Sequence, residues 1–150
     1  MTKVYLASLS RETENTKLPS HVFKVGISNL QSSLDRLYYT GWDEPHPISY
    51  FFPKIKLLAE IETDQISAEM LEAHVLKMIG APRFHNWYEP KQISGITEMR
   101  RWNSREVDMA YAIIWFYKKY GKLLDRELAA SYADYKMHRR ETYESGQVRD

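Results

Sequence analysis

The stretch "HVFKVGISN", residues 21–29, decides how this chain is to be read. Phe23, Val25 and Ile27 alternate with Val22, Lys24 and Gly26, which is the two-residue period of a strand. Lys24 therefore stands on the side opposite the apolar residues, two positions ahead of a glycine. The plainest account of it is a solvated lysine on the outer face of a sheet. Upstream, "KVYLASLS" (3–10) is another strand, with Val4 and Leu6 to one side and Tyr5 and Ala7 to the other. A polar segment holding Pro19 joins the two, so they pair most simply as antiparallel neighbours.

Downstream, "SNLQSSLDRLYYTG" (28–41) has helical spacing in Leu30, Leu34, Leu37 and Tyr38. Ser28 or Asn29 can cap its start and Gly41 lies past its end, while Arg36 falls off the centre of the stripe. Residues 42–54 carry three prolines and read as a loop. "KIKLLAEIET" (54–63) is the third strand. Thr63, Asp64 or Ser67 can cap the next helix, which stops at Gly80 and buries Ala68, Leu71, Val75, Met78 and Ile79. Glu69 and Glu72 stand side by side near its first turns. Residues 83–99 are irregular.

The longest helix spans 103–121. Asn103 and Glu106 have the spacing of a capping box, and Gly121 is its stop. It is apolar nearly all round, so it must bury itself in the domain or in an oligomer interface. A final amphipathic helix, 125–144, becomes basic at Lys136, His138, Arg139 and Arg140. The order β-β-α-β-α followed by helices predicts an α+β fold. A small three-stranded antiparallel sheet flanked by helices occupies residues 1–100, and a helical C-terminal extension, 101–150, packs on it or on a partner.

The composition narrows function. The chain has 150 residues, 21 of them basic and 20 acidic, for a net charge of +1. Nucleic acid, if bound, must be gripped by a local patch rather than a global field. Arg100, Arg101 and Arg105 form one such patch, and Lys118, Lys119 and Lys122 another, although basic runs of this kind are usually solvated surface. The absence of cysteine excludes disulfides, thiolate metal sites and cysteine nucleophiles, and fits an intracellular protein. No apolar run reaches the roughly 18 residues of a membrane span, and the N-terminal run is too short for a signal peptide. His46, His74 and His85 lack zinc-site spacing.

A phenol (Tyr5), an amine (Lys24), a guanidinium (Arg36) and a carboxylate (Glu72) follow one another along the first five elements, on the two first strands and the two first helices. If brought together, such groups could activate water, bind phosphate and hold a divalent cation. This ordered set resembles the GIY-YIG endonuclease superfamily. "KVYLASL" stands at the first motif, with Tyr5 as its tyrosine, and "FKVGIS" at the second. "LDRL" carries Arg36, "AEMLEAHVLKMI" carries Glu72, and "RFHNWYEP" carries Asn86. The resemblance covers about residues 3–89. The first motif lacks its glycine and isoleucine. The second has Lys24 where its tyrosine would be, as in a KIG-type branch associated with phages and viruses.

The resemblance implies a DNA phosphodiester hydrolase, cytoplasmic in a bacterial or phage-infected cell. It further implies Mg²⁺ or Mn²⁺ on Glu72, with Glu69 as the alternative ligand. Arg36 would hold the phosphate, Tyr5 with Lys24 would act on the water, and Asn86 would close the site. A non-catalytic accessory or inhibitor protein on the same scaffold, binding protein or nucleic acid, is the alternative.

Overall fold

The computed structural model describes residues 1–12, 20–29, 33–38, 48–80 and 99–135. Its strands are β1 (Thr2–Ser10), β2 (His21–Ser28), β3 (Lys54–Thr63) and the two-residue β4 (Met99–Arg100). They form one antiparallel sheet in the order β3-β1-β2-β4. Among the described residues the sheet thus has four strands, not the three expected. β4 pairs only with Phe23 and Lys24, and two residues carry no periodic signal that sequence could reveal.

The helices are α1 (Ser33–Tyr38), α2 (Ile48–Phe51), α3 (Gln65–Ile79), α4 (Ser104–Tyr120) and α5 (Arg126–Tyr135). α2 lies inside the stretch read as a loop, where it buries Ile48 and Phe51. They cover both faces of the sheet. On one face Val4, Leu6, Val25 and Ile61 pack with Ala68, Leu71, Val75 and Ile79 of α3 and with the buried side of α4 and α5. On the other, Tyr5, Ala7, Leu9 and Val22 pack with Leu37, Ile48, Phe51, Phe52 and Met99. Among the described strands, β1 alone is flanked by long strands on both sides, and its side chains are buried on both faces.

The two long C-terminal helices share the core of the sheet. α4 buries every residue from Val107 to Ile114, and α5 contributes Ala129 and Ala133. The capping box is present. Asn103 Oδ1 accepts from Glu106 N–H at 2.9 Å, and Glu106 Oε1 accepts from Asn103 N–H at 3.0 Å. Gly121 closes the helix at φ 69°, a left-handed conformation that costs a glycine little. At α3, Asp64 is the cap, taking the Ser67 N–H at 2.8 Å.

β3 contains an irregularity. Leu6 of β1 pairs with Ala59 and Ala7 pairs with Leu57, so Leu58 is an extra, bulged residue. Ile55 and Leu57 therefore pack on the Tyr5 face, whereas Leu58, Ala59 and Ile61 pack on the α3 face. Lys54 and Lys56 stay exposed.

Candidate functional site

Residues on the Tyr5 face form rows across the strands. Glu62, Lys3 and Ser28 make one row, Glu60, Tyr5 and Gly26 the next, and Leu57, Ala7, Lys24 and Met99 the third. The polar residues thus gather toward the end of the sheet where β2 runs out, and the aliphatic ones toward the other. Lys3 Nζ lies 3.8 Å from Glu62 Oε1 in the first row.

The centre of the second row explains the glycine of "FKVGIS" (residues 23–28). The Tyr5 ring lies across β2 directly over Gly26. A Cβ at Gly26 would stand 2.4 Å from Tyr5 Oη and 2.6 Å from Cζ. Only glycine leaves room for the phenol in that place. Lys24, diagonally adjacent, puts its Nζ 5.9 Å from the Tyr5 ring centroid, within cation–π range. Tyr5 of β1 and Lys24 and Gly26 of β2 therefore form one packed unit.

That unit is not an open surface, as strand alternation alone suggests. Tyr5 is 1% exposed and Lys24 5% exposed. The face expected to be polar is itself a second core, capped by α1, α2 and the aromatic pair Phe51 and Phe52. Arg100, placed by sequence in a solvated cluster, is also 5% exposed; as part of β4 it is paired against Phe23. Its guanidinium donates to the Met99 carbonyl at 3.0 Å.

Arg36 belongs by its backbone to α1, on the Tyr5 side of the sheet, where Leu34 and Leu37 pack. Glu72 belongs to α3, which covers the opposite face, so the expectation of a single shared face is not met. α3 lies over β1 and β2, and α4 over β3. His74 reaches from one flank of α3 to the Leu124 carbonyl, between α4 and α5. At 100° per residue Glu72 occupies the other flank, two turns beyond Gln65. Gln65 accepts a hydrogen bond from Thr2 Oγ1 at 3.0 Å, near the ends of the strands. Glu72 is thus half-buried on the flank of α3 away from α4 and α5. Asn86, with the rest of its segment, lies outside the described residues.

Glu60 does not stand out in the sequence, yet it is the direct cross-strand neighbour of Tyr5. Its Oε2 accepts the Ser33 N–H at 3.2 Å, which ties the start of α1 to the sheet. Beside it the Ser33 hydroxyl is buried without a hydrogen-bond partner. The signal for it lies in "EIE" (60–62): Ile61 must point to one core, so both glutamates point to the other face.

Among the described residues no three histidine, aspartate or glutamate side chains cluster as metal ligands. A Mg²⁺-type centre needs no such cluster, since one or two carboxylates with water and substrate phosphate suffice. The carboxylates of Glu72 and Glu60 are hard oxygen donors of the required kind. No family model, curated protein or solved structure matches the chain.

Proposed function

We propose that the chain is a divalent-metal-dependent endonuclease of GIY-YIG type that hydrolyses DNA phosphodiesters. The observation that supports this most is the interlock of Tyr5, Gly26 and Lys24. Two short motifs, each commonplace alone, come together as adjacent strands in which one motif's tyrosine requires the other motif's glycine. Arg36 belongs to α1, which packs on the Tyr5 side through Leu34 and Leu37, whereas Glu72 belongs to α3 on the opposite face. In this reading Arg36 binds the phosphate and offsets developing charge. Tyr5 orients the attacking water, and the neighbouring Lys24 cation favours the phenolate over the phenol. Glu72 would hold the metal, which supplies Lewis-acid stabilisation of the leaving oxygen.

The burial of Tyr5 and Lys24 favours a second reading, a non-catalytic protein- or nucleic-acid-binding factor built on this scaffold. One assay separates the two. Purified protein is incubated with supercoiled, linear and branched DNA in Mg²⁺ or Mn²⁺, with chelator as control. The nuclease reading expects chelator-sensitive cleavage, abolished in Glu72→Ala and reduced on the order of 10²-fold in Arg36→Ala. Lys24→Met, checked for retained fold by circular dichroism, should cut slowly. Wild-type protein that cuts none of these substrates leaves the binding factor as the better account.

A further inference from the structure

We infer that the C-terminal end of α4 is a binding surface for single-stranded nucleic acid, in which lysines hold the phosphates and an exposed tyrosine stacks a base. The surface lies outside the Tyr5 site and does not depend on the chain being a nuclease.

Its first component is aromatic. Trp115, Phe116 and Tyr120 of α4 and Tyr132 of α5 form a connected cluster. Phe116 and Tyr120 have ring centroids 4.6 Å apart, and Trp115 meets Tyr120 edge-on at 6.3 Å. Tyr132 packs behind, 5.6 Å from Trp115 and 5.9 Å from Phe116. The outermost ring, Tyr120, is 51% exposed. It is therefore a ring fixed by neighbours on one side and open to solvent on the other, the arrangement required of a base-stacking platform.

Its second component is charge. Lys118, Lys119 and Lys122 are all exposed at this end of α4, and Lys119 is the one set against the rings. Lys119 Nζ sits 5.3 Å from the Trp115 ring centroid and 5.8 Å from that of Tyr120, so it is held between the two rings. Lysines in a helix's last turn also complement its dipole, but that role requires no exposed aromatic ring among them. The acidic residues nearby in sequence are Asp125 and Glu127. Asp125 is engaged as the cap of α5, accepting the Leu128 N–H at 2.8 Å. Cations interleaved with an open ring fit a ligand that alternates phosphates with flat bases, and an unpaired strand presents bases whose faces are free.

The test is fluorescence anisotropy with a labelled 12-nucleotide thymidine strand, in chelator so that no cleavage occurs. The same sequence as a duplex and polyglutamate of matched charge serve as competitors. The wild type should prefer the single strand to both. Tyr120→Ala should weaken binding by roughly fivefold or more, the lower range for loss of one stacked base, whereas Tyr120→Phe, which keeps the ring, should bind as wild type. Replacing Lys118, Lys119 and Lys122 by Gln should weaken binding about tenfold or more. It should also reduce the slope of log affinity against log salt by about 2, at about 0.7 for each phosphate that no longer meets a lysine. Circular dichroism of each variant establishes that it is folded. Unchanged binding in Tyr120→Ala overturns the inference. So does equal competition by polyglutamate, which would mark a site for acidic protein, or a dimer that covers Tyr120 in sedimentation.

Discussion

At the scale of single residues, the contact between Tyr5 and Gly26 is the tightest met by a glycine among the described residues. Gly26→Ala puts a methyl inside the van der Waals radius of the phenol. The expected cost is about 1–3 kcal/mol, the usual range for overpacking a filled core, read as a lower denaturation midpoint. Adding Tyr5→Leu should restore part of it, and the non-additivity of the double-mutant cycle measures the contact. Equal losses in single and double variants would show that the ring is not what excludes the side chain. His21 offers a test in pH. Burial lowers its pKa below 6.5, and its Nε2 shares a 2.6 Å hydrogen bond with Ser8 Oγ. The folded state then binds its proton less readily than the unfolded state, so stability should fall as pH drops below 6.5. Denaturation midpoints at pH 7.5 and 5.5 should differ more in the wild type than in His21→Gln.

At the scale of elements, local chemistry and visible pattern went together. Asn103→Ala removes one half of the α4 capping box and should cost about 1 kcal/mol, measured by thermal or urea unfolding. No change would mean that packing alone fixes the start of α4. This box, the Gly80 and Gly121 stops and the apolar stripe of α3 are legible because short-range rules generate them. Two elements are not legible. α2 sits among prolines, and β4 is two residues long, held by its partner rather than by its own pattern. The exposure expected of Lys24 fails for a related reason. Alternation tells which residues share a face, and it pairs Tyr5 with Lys24 correctly. It cannot tell whether helices cover that face as well. The run Val4–Ala7, apolar without a break, is the sign that both faces of β1 are buried. Of the candidate site, the Tyr5–Lys24 adjacency is legible. The placement of Glu72 across the sheet from Tyr5 is not, because it depends on which face of the sheet α3 covers.

At the scale of the whole molecule, the C-terminal helices belong to the sheet's core rather than hanging from it. Removing residues 103–150 would strip cover from Val4, Leu6, Val25 and Ile61 and from the buried stripe of α3. The truncated chain should aggregate or lose cooperative unfolding, followed by light scattering and circular dichroism. A soluble, folded, monomeric remainder would refute that dependence. The extra residue in β3 bears on the same two-sided packing. Two residues at each end of the strand, Ile55 with Leu57 and Ala59 with Ile61, must serve opposite layers, yet all four occupy odd positions. Leu58 is the insertion that changes the parity between them. Deleting this one leucine would leave Ala59 opposite Leu6 and Leu57 opposite Ala7, a regular ladder in which every other residue keeps its partner and its face. Deleting Lys56 instead, with Leu57–Thr63 held in register, would move Lys54 opposite Leu9 and turn it onto the Tyr5 face. The number of residues on either side of Leu58 is therefore as much a part of the fold's specification as their identities, and a length-scanning library should accept deletion at Leu58 but not at Lys56 or Leu57.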